Sequence, residues 1–170
     1  MATISIPLPA SAWQPTSDVA SWASAQIQVK QSSGAVPSPR WIEWLFDAST
    51  DEHIVIGFIV PSNYASAPVL KVHYKATSAT SGTAVFSCLV HCVTDGDAQD
   101  VDADAFAAQN DGSATVPGTA GYIDVISITL TNADSMTAGD FITLALFRDI
   151  SADSVAGDLE FVGADFQYST

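Results

Sequence analysis

The sequence predicts an all-β fold, and three observations predict it. Apolar and polar residues alternate with a period of two over eight separate segments, the spacing of a half-buried strand. Clusters of Gly, Pro, Ser and Asp lie between most of these segments, and no long helical pattern appears. Asp heavily outnumbers Glu among the 19 acidic residues, and Asp favours turns and caps where Glu favours helices. Eight strands in 170 residues are most economically an eight-stranded antiparallel jelly-roll sandwich, here with an extended N-terminal arm. An immunoglobulin-like sandwich is the rival, but it is shorter, at ~100 residues, and its Cys…Trp…Cys signature is missing.

Residues 1–23 form the expected arm and residues 24–170 the sandwich. In "ATISIPLPA" Ile4, Ile6 and Leu8 alternate, but Pro7 and Pro9 withhold ladder donors, which suits an edge or an extended segment. "TSDVASWASA" could add one helical turn capped by Ser17 or Asp18.

The core strands follow in order. "AQIQVK" (25–30) alternates, and the loop "SSGAVPSP" separates it from the aromatic-rich "RWIEWLFD" (40–47). "HIVIGFIVP" (53–61) sets Ile54, Ile56, Phe58 and Val60 on one face and stops at Pro61. "VLKVHYKAT" (69–77) sets Leu70, Val72 and Tyr74 against Lys71, His73 and Lys75. "TAVFSCLVHCV" (83–93) aligns Phe86, Cys88, Val90 and Cys92. An irregular region spans 94–120, with a helix expected at 104–109 capped by Asp102. "YIDVISITLT" (122–131), "DFITLALFR" (140–148) and "DLEFVGADFQY" (158–168) complete the set. The last strand is expected in the middle of a sheet, beside the first core strand, where it seals the sandwich.

Charge narrows the function classes. The net charge is −14 and only 14 % of residues are charged, well under the usual ~25 %. Such a surface repels phosphate backbones and anionic membranes, so neither nucleic acid nor membrane is an expected partner. No stretch approaches the ~20 apolar residues of a membrane span, and "MATISIPLPASAW" lacks a signal-peptide pattern. Cys88 and Cys92, four apart in one strand, put their Cα atoms roughly 13 Å apart, beyond the ~7 Å reach of a disulfide. Two free, buried thiols are expected, compatible with assembly in a reducing cytoplasm.

Order and motif carry a resemblance. A "W…F…D" strand is followed by "IVIGFIVPSNY", "LKVHYKATSATSGTAVF", a Thr-Asp acidic loop, "TVPGTAGY", "AGDFITLALFRD" and "GDLEFVGADFQY". Over residues 41–168 this order resembles the single jelly-roll structural proteins of tailed bacteriophages. The resemblance implies a non-enzymatic virion protein, a homotrimer acting as a capsid decoration or cement protein that stabilises the shell. Its implied partners are its own copies and the major capsid protein, and its implied place is the capsid surface, reached by assembly in the host cytoplasm. The same resemblance allows a tail or fibre module that binds host glycans. Ile4, Ile6, Leu8, Trp13 and Trp22 of the arm are the expected contacts to a neighbouring subunit, because aromatic and aliphatic anchors dominate interfaces.

Catalytic chemistry finds little support. A cupin-like metal site needs a His-x-His pair on one strand, but His53, His73 and His91 lie in different strands and are expected at exposed or edge positions. No G-x-S-x-G occurs, and Cys92 and its neighbour His91 point to opposite faces of a strand. No cofactor is expected. The acidic loop Asp95, Asp97, Asp100, Asp102 and Asp104 offers candidate Ca²⁺ ligands, although EF-hand spacing fails for want of a closing Glu. The alternatives there are a solvated acidic loop, or carboxylates from three subunits sharing a cation on a threefold axis. Trp41 and Trp44, three apart, face opposite ways, one toward the core and one outward, where it could stack on a sugar alongside Tyr64. Arg148, placed at a turn rich in Asp153 and Asp158, is expected to pin that turn with its guanidinium fork.

Overall fold

A computed structural model describes residues 1–16, 22–96 and 98–170. Within them the chain forms β1 (Thr3–Pro9), β2 (Gln14–Pro15), β3 (Ala23–Ser24), β4 (Gln26–Gln31), β5 (Arg40–Phe46), β6 (Glu52–Ile59), β7 (Ser66–Ala76), β8 (Thr83–Val93), β9 (Asn110–Thr115), β10 (Asp124–Thr129), β11 (Phe141–Arg148) and β12 (Leu159–Ser169). One sheet has the order β10-β7-β12-β5-β4, with β1 added to β12. The facing sheet has the order β2-β6-β11-β8-β9, with a two-residue parallel contact from β3 to β6. The fold is an all-β jelly-roll sandwich.

Period-two patterning builds the core between the sheets. Leu70, Val72 and Tyr74 of β7, Ile126 and Ile128 of β10, and Ile142, Leu144 and Leu146 of β11 are all wholly buried. Rings meet edge-on across the gap, as Phe46 and Phe86 do at 5.3 Å and Trp13 and Phe161 at 5.4 Å. On the β9–β10 side the two sheets close on each other at Gly112. A Cβ there would sit 2.8 Å from Ile126 Cγ2, Ile128 Cγ1 and the Ser127 carbonyl oxygen, so only glycine permits the approach.

The last strand is central, as expected, but its neighbours differ. β12 pairs with β7 on one side, and on the other with β5 over Leu159–Phe161 and then with β1 over Gly163–Ser169. The changeover falls at a bulge between Phe161 and Gly163. Gly163 sits there at φ 151°, a conformation that costs glycine little. The bulge keeps Leu159, Phe161, Ala164, Phe166 and Tyr168 all facing the core. The first core strand, β4, lies instead at the sheet edge.

Three other expectations need correction. All eight expected strands form, but twelve strand segments are present among the described residues. β9 adds to β8 because Asn110 anchors its start, its side chain bonding the Cys88 and Asn132 carbonyls. The expected helix at 104–109 is absent; that segment has no regular secondary structure, and its Ala107 amide bonds the Val90 carbonyl of β8. The N-terminal segment does not extend away as an arm. β1 pairs along β12 as an edge strand, which leaves the nitrogens of Pro7 and Pro9 no ladder role to fail, and Leu8, Ala10 and Trp13 enter the core. The turn proposed at Ser17 or Asp18 lies outside the described residues, although a short 3-10 turn occurs at Ala10–Ala12.

Candidate functional site

The outer face of the first sheet gathers side chains that a soluble surface would ordinarily scatter. In β5 the alternation sends Ile42, Trp44 and Phe46 inward and Trp41, Glu43 and Leu45 outward. Register then selects their neighbours. Lys30 lies across from Trp41 and Gln28 across from Glu43, while Glu160 of β12 lies across from Lys75 of β7.

Four charges close into a network on this face. Lys75 Nζ bonds Glu160 and lies 3.0 Å from Glu43 Oε2. Lys30 Nζ lies 3.0 Å from Glu160 Oε1 and 3.6 Å from Glu43 Oε1. Gln28 Nε2 donates to Glu43 at 3.0 Å, and the Trp41 indole Nε1 donates to Glu43 Oε2 at 2.7 Å. The carboxylates are the covered partners: Glu43 is 0 % exposed and Glu160 3 %. Burying an ion costs several kcal/mol unless it is paired and fully hydrogen-bonded, and here two ammoniums meet two carboxylates.

Beside this network opens a cavity of about 360 Å³ lined by Trp41, Lys75, Gly121, Ile123 and Val162. Lys75 Nζ lies 5.9 Å from the centre of the Trp41 ring, a cation–π contact. The opposite rim belongs to the segment before β10. Gly121, at φ 80°, bonds its amide to the Ala76 carbonyl and turns Tyr122 and Ile123 outward, each more than 60 % exposed. Along β7 the face continues through His73, whose Nε2 is 2.9 Å from Asp165 Oδ2, to Lys71. All three lysines of the chain, Lys30, Lys71 and Lys75, therefore stand on this one face. The arrangement offers a flat aromatic wall, apolar flanks and a rigid polar floor, the makeup of a small-molecule site.

Trp41 and Trp44 face opposite ways as expected: Trp41 walls the cavity, and Trp44 is 1 % exposed with its indole bonded to the Ala10 carbonyl. Tyr64 is not near Trp41; it packs on Tyr168 at 5.7 Å. The five expected subunit contacts are largely used within the chain. Leu8 and Trp13 are core, Ile4 and Ile6 pack against it half-buried, and Trp22 stacks on His53 at 4.3 Å and on Phe106 at 5.6 Å.

Two of the three histidines are not the exposed or edge residues expected, while His73 is 34 % exposed at its side chain. His53 and His91 are both buried on the outer face of the second sheet, where Trp22 covers His53 and Phe106 packs against His91. His53 lies between the rings of Trp22 and Phe147, its Nδ1 has no hydrogen-bond partner among the described residues, and burial holds its pKa below the usual 6.5.

The described carboxylates of the acidic loop do not converge. Asp95, Asp100 and Asp102 are exposed, Asp97 lies outside the described residues, and Asp104 instead bonds His91 Nε2 at 3.2 Å and Gln99 at 2.8 Å. Among the described residues no three His, Cys, Asp or Glu side chains converge as metal ligands. Cys88 and Cys92 are free and buried, and burial pushes the Cys92 thiol up to about 12. Sequence reasoning missed Glu43, Glu160, Gln28 and Lys30 as members of the site. The available signal was their outward phase in strands whose other face is apolar.

No family model matches the chain, and no curated protein matches it in sequence. Solved structures do match in fold. The chain is similar to CBM28, a carbohydrate-binding module specific for non-crystalline cellulose, at 12 % identity and TM-score 0.54, covering 94 % of this chain and 89 % of that one. It is similar to the family 11 carbohydrate-binding module of the Clostridium thermocellum cellulase Lic26A-Cel5E at 9 % identity and TM-score 0.50, covering 99 % and 97 %. It is also similar to the CBM22-1–GH10 modules of Clostridium thermocellum xylanase 10B, complexed with xylohexaose, at 14 % identity and TM-score 0.54. That match covers 97 % of this chain but only 28 % of the xylanase chain. The class so defined is the jelly-roll β-sandwich to which these carbohydrate-binding modules belong.

Proposed function

We propose that this chain is a glycan-binding module and that the outer face of its first sheet is the binding surface. The observation that carries the reading is Trp41, held by Glu43 at 2.7 Å beside a cavity of about 360 Å³ with a charged floor. A pyranose has one apolar C–H face and a rim of hydroxyls. Its C–H face stacks on an indole, and its hydroxyls meet ammonium donors that the buried carboxylates already hold in place. Pre-organisation matters because ordering long side chains on binding costs about 0.5–1.5 kcal/mol each. The strand network has ordered Lys30, Lys75 and Glu43 before any ligand arrives.

The fold adds support, being one that carbohydrate-binding modules use. The sequence resemblance to phage jelly-roll proteins would set such a module on a virion tail or fibre, as a homotrimer facing host-surface glycans. A glycan array followed by calorimetry tests the reading. Oligosaccharides are expected to bind the wild type, and Trp41→Ala is expected to weaken them with melting behaviour retained. Glycan binding that survives Trp41→Ala intact would move the site elsewhere.

A further inference from the structure

We infer that the preferred glycan carries an anionic group, a sugar carboxylate or sulfate, seated over β7 between Lys75 and Lys71. The inference rests on the glycan-binding reading and names the ligand class for the same face.

Hydrogen-bonding capacity on this face is lopsided. A carboxylate has about four acceptor sites, and Glu43 is surrounded: Gln28 and Trp41 donate to it, Lys75 lies 3.0 Å away, and the Lys30 ammonium pairs with it at 3.6 Å. Glu160 takes both ammoniums and is 3 % exposed, so a ligand cannot reach what remains of it. The acids are spent beneath the surface. The donors are not. Each ammonium has three N–H groups; Lys75 sits against both carboxylates, whereas Lys30 lies 3.0 Å from Glu160 but 3.6 Å from Glu43, outside hydrogen-bond reach, so each keeps at least one N–H to spare. Lys71 forms no salt bridge among the described residues. Its register partners are Asp165 on β12 and Ser127 on β10. Asp165, 30 % exposed at its side chain, is the acid this face presents to solvent, and His73 occupies one of its oxygens at 2.9 Å.

Charge distribution points the same way. The chain carries −14, yet its three lysines share this face with three acids, Glu43, Glu160 and Asp165. Two of those acids lie beneath the ammoniums, so a ligand touching the face meets cations first. Charge-assisted bonds from an ammonium to a carboxylate or sulfate are about twice as strong as neutral ones. The sugar carrying that charge sits next to the ring stacked on Trp41, because Lys75 both lines the cavity and begins the Lys75–His73–Lys71 row. Repulsion from the remaining acids disfavours a densely charged polyanion, so the expected ligand is a mostly neutral chain with isolated acidic sugars.

The test is calorimetric titration of wild type and Lys71→Glu with three sets of oligosaccharides matched in length. The sets are neutral (cello- and xylo-oligosaccharides), carboxylated (glucuronate-bearing and sialylated) and sulfated. The inference expects at least one acidic set to bind about tenfold or more tightly than its neutral counterpart. It expects Lys71→Glu to weaken the acidic set by far more than the neutral set and so erase that preference, and the carboxylated and sulfated arms identify which anion the row accepts. Neutral oligosaccharides binding as well as acidic ones, or a preference that survives Lys71→Glu, would overturn the inference and leave the glycan-binding reading standing. Failure of all three sets to bind would remove that reading, and the anionic preference with it.

Discussion

The indole of Trp41 and the carboxylate of Glu43, two residues apart on the same face of β5, are joined by a 2.7 Å hydrogen bond. The bond fixes the rotation of the ring that walls the cavity, and the strand pleat fixes its position. Removing the ring and removing the bond are therefore separable. Trp41→Phe keeps an aromatic wall but frees one acceptor of Glu43, whereas Trp41→Ala removes both. In titrations with a bound oligosaccharide, Trp41→Ala should weaken binding by about tenfold or more, since aromatic stacking contributes ~0.5–1.5 kcal/mol beyond area burial. Trp41→Phe should fall between the two. Equal affinities for all three proteins would show that the ring does not touch the ligand.

The two lysines of the network differ in cover, and so in what their loss costs. Lys75 is 11 % exposed at its side chain and contacts both buried carboxylates; Lys30 is 37 % exposed and contacts the same pair from the rim. Lys75→Met leaves two carboxylates short of a partner in a covered site, a loss of about 3–5 kcal/mol by the precedent of broken buried pairs. Lys30→Met should cost less than about 1 kcal/mol, because solvent screens its charge. Thermal unfolding of both variants checks the ranking, and a Lys30→Met variant at least as unstable as Lys75→Met would contradict it.

How much of this was legible beforehand depends on the range of the interactions. The strands were, because alternation is local: Leu70, Val72 and Tyr74 against Lys71, His73 and Lys75 is readable within one segment. The opposed faces of Trp41 and Trp44 and the buried thiols follow from the same period. The course of β1 was not legible, since two prolines argue for an extended segment whether or not it pairs, and only β12, more than 150 residues on, supplies the partner. The network at Glu43 was hidden for a related reason. Its members come from β4, β5, β7 and β12, and their meeting depends on register across three strand boundaries. The bulge before Gly163, where β12 passes from β5 to β1, has no signature beyond a glycine inside an apolar run.

His53 should make the fold acid-sensitive. Burial, the main cause, lowers its pKa below 6.5, opposed by the Ala23 carbonyl and the charge of Asp51. The unfolded chain therefore takes up this proton first as pH falls below 6.5. Its contribution to stability is complete above that value and is lost as pH drops through the lower, folded value. Glu52, raised above 4.5 chiefly by burial, works in the opposite direction at lower pH, so the slope of the wild type alone mixes the two. His53→Phe isolates the effect. A phenyl ring keeps the stack between Trp22 and Phe147 and deletes the unpartnered Nδ1. The melting temperature of His53→Phe should fall less than that of the wild type between pH 7 and pH 5, and parallel curves would refute the assignment.

Arg148 carries a prediction as large as that for Lys75, because every donor it has is used and none is exposed. Nε and one terminal nitrogen grip Asp153 at 3.1 and 2.9 Å. The remaining N–H groups reach the carbonyls of Val155 at 3.0 Å, Gly157 at 2.8 Å and Asp47 at 3.3 Å. Arg148 is 0 % exposed, so the guanidinium acts as the hub of the turn between β11 and β12 and ties it to the end of β5. Lysine has the charge but not the fork, and three rotatable donors on one nitrogen cannot span a carboxylate and three carbonyls pointing in from different directions. Arg148→Lys should therefore destabilise nearly as much as Arg148→Met, on the order of 3–5 kcal/mol, since each leaves Asp153 buried with its ion pair gone or distorted. Denaturant unfolding reads the difference directly, and a lysine variant within about 1 kcal/mol of the wild type would mean that charge alone, without the planar geometry, holds this turn.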